Sequence, residues 1–465
     1  MRLLLFRTVT WRSAVLIVCE GAVILLCVYL GAFIRLGGGD FSDYTWTKGI
    51  LSKALLIAAI TQLCMYFADL YDFRILAERR ELFVRSVQAI GATSVVLAAI
   101  YFWFPDLIVG RGVFMVAAIA VIALLFGWRI AFEWTSRKVG PRERILLVGT
   151  NEGAVELARE LFERHDLGVH IVGFIDPDPA RVGAAVLNPG VIGTIEDIPA
   201  IVRARAVDRV VVSLSDARGR LPMDKLLEMK LDGVTFDHLA SVYEQYTGKI
   251  AVDNLRPSWL IFSEGFKKSH LQKALKRALD IIGSGIGLVL MLPIMALVAL
   301  VIKVSSPGGV LYHQSRVGLR GHVFTLHKFR SMRADAEEQT GAVWAAVNDN
   351  RVTRVGRFMR RTRLDELPQL WNVFRGDMSI VGPRPERPEF VTTLTKDIPF
   401  YGQRHIVRPG LTGWAQVRYT YGASVEDSME KLQYDLFYIK NMSLPLDLFV
   451  IANTVKTVIM RRGAQ

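Results

Sequence analysis

Six arginines, Arg351, Arg354, Arg357, Arg360, Arg361 and Arg363, crowd a short stretch with no acid among them. The run ends in Leu364-Asp365-Glu366-Leu367-Pro368-Gln369. Three-residue spacing on a helix makes a partly aligned cationic stripe, which by itself reads as a solvated or lipid-headgroup-facing surface. Adjacent carboxylates directly after such a run suit a phosphate site: the cations bind an anionic substrate, one carboxylate can act as a nucleophile, and the pair can hold a magnesium ion. Alone, an acidic pair at a helix start equally complements the helix dipole. Further on, Gly382-Pro383-Arg384-Pro385-Glu386 sets an arginine between two prolines. Its fork is thereby presented with little entropy loss, as bidentate phosphate contact requires. Lys328 and Arg330 in His327-Lys328-Phe329-Arg330-Ser331 form another cationic pair, and Arg408 stands beside the stiff Pro409-Gly410. A structural turn is the competing reading for each.

These residues must be positioned by the rest of a chain of 465 residues that is 51% hydrophobic and carries a net charge of +13. The mean hydropathy is +0.30 and the isoelectric point about 9.7. That composition excludes a disordered chain and is too apolar for an ordinary soluble one. Excess Lys and Arg on an apolar chain suggests cytoplasmic loops facing anionic lipid or phosphorylated substrates, with nucleic acid as the second reading. The cysteines, Cys19, Cys27 and Cys64, all lie in apolar runs, which argues against a disulfide framework or a zinc site.

Apolar runs at about 13–34, 50–70, 86–104 and 112–132 have the length of membrane-spanning helices. Glu20 and Lys53 lie inside the first two, either paired between helices or near a helix end. Arg2, Arg7 and Arg12 precede the first run, Arg74, Arg79, Arg80 and Arg85 follow the second, and Arg129, Arg137, Lys138, Arg142 and Arg144 follow the fourth. The intervening loops are poor in basic residues, so both ends of this bundle are expected in the cytoplasm. Residues 144–150, 169–176 and 207–214 read as strands alternating with helices, a parallel Rossmann-like sheet. Its first turn, Gly149-Thr150-Asn151-Glu152-Gly153-Ala154, lacks the glycine fingerprint for a pyrophosphate, although Asp176 could contact a ribose. A structural or regulatory role is favoured. A fifth apolar run at about 278–302 has basic residues on both flanks and Pro293 within it. Both features suit a hairpin that enters the membrane and returns to the same face, with a kinked full span as the alternative.

KFRSM, RRTRLDELPQLWNVFRGDMSIVGPRPE and RPGLTGWAQV together resemble the bacterial sugar transferase family, the monotopic phosphoglycosyl transferases that act on polyprenyl phosphate. The resemblance is strong over about 267–465. The front of the chain resembles the large members of exopolysaccharide and O-antigen initiation. It implies a four-helix transmembrane bundle (1–138), a Rossmann-like α/β cytoplasmic domain (139–257) and a mostly α-helical monotopic catalytic domain (258–465) with a re-entrant membrane helix at about 278–302 that breaks at Pro293. Many members have serine before that proline, where this chain has Leu292. It implies transfer of sugar 1-phosphate from a UDP-sugar to polyprenyl phosphate such as undecaprenyl phosphate. Asp365 and Glu366 match the family's catalytic dyad, which also serves as the site for Mg²⁺. Lys328, Arg330, Arg360, Gln369, Arg384, Glu386 and Arg408 are assigned to substrate binding. The expected place is the bacterial inner (cytoplasmic) membrane, multi-pass, with the α/β and catalytic domains in the cytoplasm; the large members suggest a homodimer.

Competing readings are a membrane-bound NAD-dependent sugar-nucleotide dehydratase or epimerase and a non-enzymatic basic membrane scaffold. The missing glycine fingerprint and the lack of a Y-x-x-x-K in the α/β block oppose the first. The absence of a recognised nucleic-acid fold opposes nucleic acid as a partner. The sequence does not name the sugar.

Overall fold

The computed structural model describes residues 11–47, 49–71, 79–139, 143–164, 167–213, 223–252, 263, 265–333, 336, 351–419, 422 and 424–459. The expected boundary at 257/258 lies outside the described residues. Helices α1 (Trp11–Thr47), α2 (Ile50–Phe67), α3 (Arg79–Trp103) and α4 (Arg111–Val139) come first. Each contains a stretch long and apolar enough to cross a membrane: Ala14–Gly37, Ile50–Phe67, Arg80–Trp103 and Gly112–Phe132. α3 begins before the apolar run at 86, because Arg80, Glu81 and Arg85 are carried on its first turns. The buried seam uses Leu16, Ile24 and Val28 of α1, Ala54 and Ala58 of α2, Leu97 of α3 and Val121 and Leu125 of α4. Outward residues such as Val18, Val95, Phe102 and Ile119 are just as apolar, which is the arrangement lipid requires.

Glu20 is paired, not stranded. Its carboxylate, fully buried, meets Arg129 of α4 through Oε1 and Nε at 2.6 Å and Oε2 and Nη2 at 3.0 Å. Arg129 also donates to the Leu70 carbonyl (2.7 Å) and lies over the Tyr71 ring. Lys53 instead donates to the Ile108 carbonyl (3.0 Å), in the connection between α3 and α4.

Next comes an all-parallel sheet in the order β3-β2-β1-β4-β5. Its strands are β1 (Glu143–Val148), β2 (Val169–Ile175), β3 (Val191–Gly193), β4 (Arg209–Val212) and β5 (Thr235–His238). Alternate β1 residues feed opposite cores. Ile145 and Leu147 pack under α5 (Glu152–Glu163) and α8 (Leu239–Thr247). Leu146 and Val148 pack under α6 (Ile198–Arg205) and α7 (Met223–Leu231). Helices on both faces are what an all-parallel sheet needs.

The last part opens with α9 (His270–Ser305), whose start is fixed by a Ser269–Gln272 capping box. The backbone stays helical through Pro293, so the expected hairpin does not take the form of two separate helices. At about 1.5 Å per residue such a helix is roughly 54 Å long, yet both of its ends rest on the same body. Near its start, Lys276 Nζ meets Asp447 (2.8 Å), and Asp280 Oδ1 accepts from Ser379 Oγ and Ile380 N (both 2.9 Å). Near its end, Val298 and Ile302 pack with Phe329, Met359, Leu364 and Leu367. Between them Val289, Leu290 and Leu292 are 73%, 62% and 64% exposed. The body itself comprises the antiparallel pair β6 (Leu311–Val317) and β7 (Val323–Phe329), α10 (Arg354–Thr362), α11 (Gln369–Arg375), β8 (Ser379–Val381), α12 (Pro388–Asp397), β9 (Gly410–Thr412), α13 (Trp414–Arg418), α14 (Val425–Asn441) and α15 (Leu444–Ile459).

The Glu20–Arg129 pair makes a stability prediction. Arg129→Met strands a buried carboxylate and should cost about 3–5 kcal/mol. Glu20→Leu combined with Arg129→Met should regain most of that loss. Equal melting temperatures for the single and double variants in nanodiscs would refute it.

Candidate active site

α10 ends because Arg363 takes the left-handed conformation (φ 57°), and the chain turns at once into a 3₁₀ turn, Leu364–Glu366. Leu364 and Leu367 pack into the core beside Met359 and Phe329. They bracket the two carboxylates and hold the turn that carries them. Asp365 is 8% exposed, and its Oδ1 is buried with no hydrogen-bond partner. Glu366 Oε1 accepts from Arg384 Nη2 (2.9 Å) and from Arg363 Nη1 (3.4 Å).

The two neighbours titrate apart. Burial, and then the Glu366 charge, push the Asp365 carboxyl up, with Lys328, Arg360 and Arg363 opposing. Burial acts on Glu366 too, but Arg384, Lys328 and Arg363 overcome it and hold the group down at about 2. Lys328, on β7, is pulled to about 8 by burial and by Arg384, against the two carboxylates. Arg360 Nε donates to Ser331 Oγ (3.1 Å), which aims its charge at this cluster.

Arg384 is held by its loop. Gly382 N donates to Thr412 O (2.9 Å), and Pro383 O accepts from Gly410 N (2.8 Å). The Arg384 carbonyl accepts from Arg404 Nη2 (3.0 Å), the Pro385 carbonyl from Arg316 Nη1 (2.9 Å) and the Glu386 carbonyl from Val317 N (2.9 Å). A Cβ on Gly410 would collide with the Gly382 backbone, so the close crossing of the two loops requires glycine there. The prolines are thus only part of the stiffness.

Of the residues expected at the site, Asp365, Glu366, Lys328, Arg360 and Arg384 come together here. Arg330, Arg408 and Glu386 are engaged in other contacts. Arg330 spends its guanidinium on Pro307 O (2.6 Å), Ser306 O (3.0 Å) and Ser306 Oγ (2.8 Å), closing the turn after α9. Arg408 donates to Gly376 O (2.9 Å). Glu386 faces Arg316 (3.5 Å). Gln369 is buried at the start of α11. The sequence marks Arg363 only as one of the arginine run, and misses Arg316 and the buried pair of Arg404 with Asp435 of α14 (2.8 Å). It also missed Asn372, which ties α11 to β7 by donating to Thr325 O (2.8 Å) and accepting from His327 N (3.1 Å). Of these, only Arg363, next to the acidic pair, carried a local sequence signal.

At the strand ends of the α/β sheet, Asp176 accepts from Thr150 Oγ1, from Arg181 Nη1 (3.1 Å) and from Asp178 N (3.0 Å). Asn151 caps α5 and donates to Ser213 O (2.6 Å).

Comparison with known proteins places two families along the chain. The description "bacterial sugar transferase" matches residues 271–461, and "CoA-binding domain" matches 66–224. A UDP-N-acetylgalactosamine-undecaprenyl-phosphate N-acetylgalactosaminephosphotransferase of Aeromonas hydrophila is 43% identical over 228 residues, 49% of this chain and 53% of that protein, so this chain spans about half its length. A UDP-glucose:undecaprenyl-phosphate glucose-1-phosphate transferase of Escherichia coli is 34% identical over 343 residues, 70% of each chain. An exopolysaccharide production protein, PSS, of Rhizobium leguminosarum is 41% identical over 192 residues, 40% of this chain but 96% of that one. The α/β strand ends do not fit a CoA pyrophosphate. Glu152 stands in the first turn of α5, Asp176 lies opposite, and the turn lacks the second fingerprint glycine.

A pH dependence follows from Lys328. Its ammonium loses its proton as pH rises through about 8, removing positive charge from an anion site, so affinity for a phosphate-bearing ligand should fall across that range. Lys328→Arg should keep binding level over the same range. A wild-type affinity unchanged well above pH 8 would exclude Lys328 from the site.

Proposed function

The chain belongs to the bacterial sugar transferase family, and we propose that it transfers a sugar 1-phosphate from a UDP-sugar to polyprenyl (undecaprenyl) phosphate through an aspartyl-phosphosugar intermediate. The observation that carries this reading is the division of labour at 365–366. Glu366 is anchored by Arg384 and Arg363, whereas the buried Asp365 Oδ1 is uncommitted. Asp365 attacks the sugar-linked phosphorus, the bond to the bridging oxygen breaks, and UMP leaves with that oxygen. An oxygen of the polyprenyl phosphate then attacks the same phosphorus, which restores the carboxylate and yields a polyprenyl diphosphosugar. One phosphoanhydride replaces another, so the overall reaction lies near thermal balance. Lys328, Arg360 and Arg384 bind and orient the phosphates.

Asp365 and Glu366 are also the residues that would hold Mg²⁺, whose preference for hard oxygen donors they satisfy. When bound, the ion would neutralise charge on the transferring phosphoryl group.

The same reading treats α9 as re-entrant. Its two ends rest on one body while Val289, Leu290 and Leu292 stand exposed between them. A helix bent into the lipid around Pro293 places the acidic pair at headgroup depth, where a lipid phosphate meets a cytosolic sugar nucleotide. Basic residues flanking the helix, and those following α2 and α4, support the cytoplasmic side. A homodimer belongs to the reading through the large family members alone.

Two experiments test it. Asp365→Asn should lower kcat for magnesium-dependent UMP release by on the order of 10³-fold or more. It should also acquire no label from sugar-labelled UDP-sugar given without lipid, whereas wild type is labelled and then discharged by polyprenyl phosphate. Labelling of the asparagine variant would favour direct attack by the lipid phosphate. For topology, single cysteines at His270 and Tyr312, with Cys19, Cys27 and Cys64 replaced, should both resist a membrane-impermeant thiol reagent in intact cells. Modification of only one would mean a full span.

A further inference from the structure

Besides Arg316 and Val317, two supports of the loop that carries Arg384 lead on to the α/β unit. The first is the β9 segment, which leads into Trp414. Trp414 is stacked on Phe437 at 5.6 Å, and its indole N–H donates to the Gly248 carbonyl (2.8 Å) at the end of α8 in the α/β unit. Gly248 holds a left-handed cap (φ 71°), and a Cβ there would stand 3.3 Å from Trp414 Cζ2, so the two surfaces are in close contact. The second support is Arg404, which binds the Arg384 carbonyl and is itself fixed by Asp435 of α14. The opposite side of α14 is docked on the same short segment. Gln433 O accepts from Ile250 N (3.1 Å), Glu430 pairs with Lys249 (2.9 Å), and Lys440 and Asn441 meet Glu244 (2.6 and 2.9 Å).

We propose that the end of α8, residues 244–250, is a positioning surface for the phosphate site: by fixing Trp414 and α14 it fixes the loop that aims Arg384. The proposal rests on the UDP-sugar reading above. The Arg384 guanidinium reaches Glu366 Oε1 at 2.9 Å, so its placement depends on both that carboxylate and the loop that holds its backbone. Arg384 meets phosphate in ground and transition states alike, so loosening it should raise KM and leave kcat nearly unchanged.

The test is a double-mutant cycle in the full-length protein in nanodiscs. Glu244→Gln with Lys249→Met breaks the α14 contacts and leaves Glu430 and Glu160, both partly exposed, to water. Trp414→Phe keeps the stacking and removes the donor to Gly248. Each should raise KM for the UDP-sugar about three- to tenfold with kcat within twofold, and weaken UDP measured by calorimetry by the same factor. In an Arg384→Ala background the same changes should have no further effect. Lys249→Arg should retain wild-type values. A penalty undiminished in the Arg384→Ala background, or KM unmoved by either variant, overturns the proposal. The UDP calorimetry arm decides it even if wild type releases no UMP, an outcome that would speak instead against the transferase reading.

Discussion

Two carboxylates on adjacent residues of one tight turn cannot both leave water as independent anions. The catalytic part is built around that constraint. Three cations take the Glu366 charge, and the like charge so fixed, with burial, raises its neighbour. The pair is thereby split into an anchored member and one with an oxygen left uncommitted. Arg384 must stay put for the split to persist, and every residue from Gly382 to Glu386 has a backbone group held by hydrogen bonding. Among the described residues, the ion pairs and hydrogen bonds of Arg316, Arg404 and Asp435 go to partners other than the acidic pair. They hold the backbone from which Arg384 reaches it.

The helix α9 relates this site to the lipid. It supplies Lys276, Arg277 and Asp280 to the body at one end and apolar packing to the acidic turn at the other. The site and the exposed apolar mid-helix therefore belong to one packed unit. α15 extends the link to the first bundle, where Lys456 pairs with Asp69, donates to the Tyr66 carbonyl (2.8 Å) and lies over the Tyr66 ring.

What was legible in the sequence was what depends on neighbours in the chain. Membrane helices announce themselves by length, Asp365 and Glu366 by adjacency, and Arg384 by its prolines. The sheet was legible in β1 and β2, which are longer and apolar, and in β4, whose Arg-Val-Val-Val is short but β-branched. β3 is only Val191–Gly193, and β5 reads Thr-Phe-Asp-His, too short or too polar for a periodic signal. Arg404 finds Asp435 across β9, α13 and the start of α14, and nothing local marks either. Arg330 and Arg408 show the converse. Arginine beside a stiff turn has two uses, holding the turn or presenting a charge, and composition does not separate them.

The buried ion pair of the bundle has a consequence for how the protein is made. Glu20 emerges 109 residues before Arg129. At about 5–20 residues per second of synthesis the interval is roughly 5–22 s. Throughout it α1 carries an acid with no partner, at a cost of a few kcal/mol in hydrocarbon. The first helix is therefore not finished when it is synthesised. The order of translation leaves Glu20 without Arg129 until the fourth helix is made.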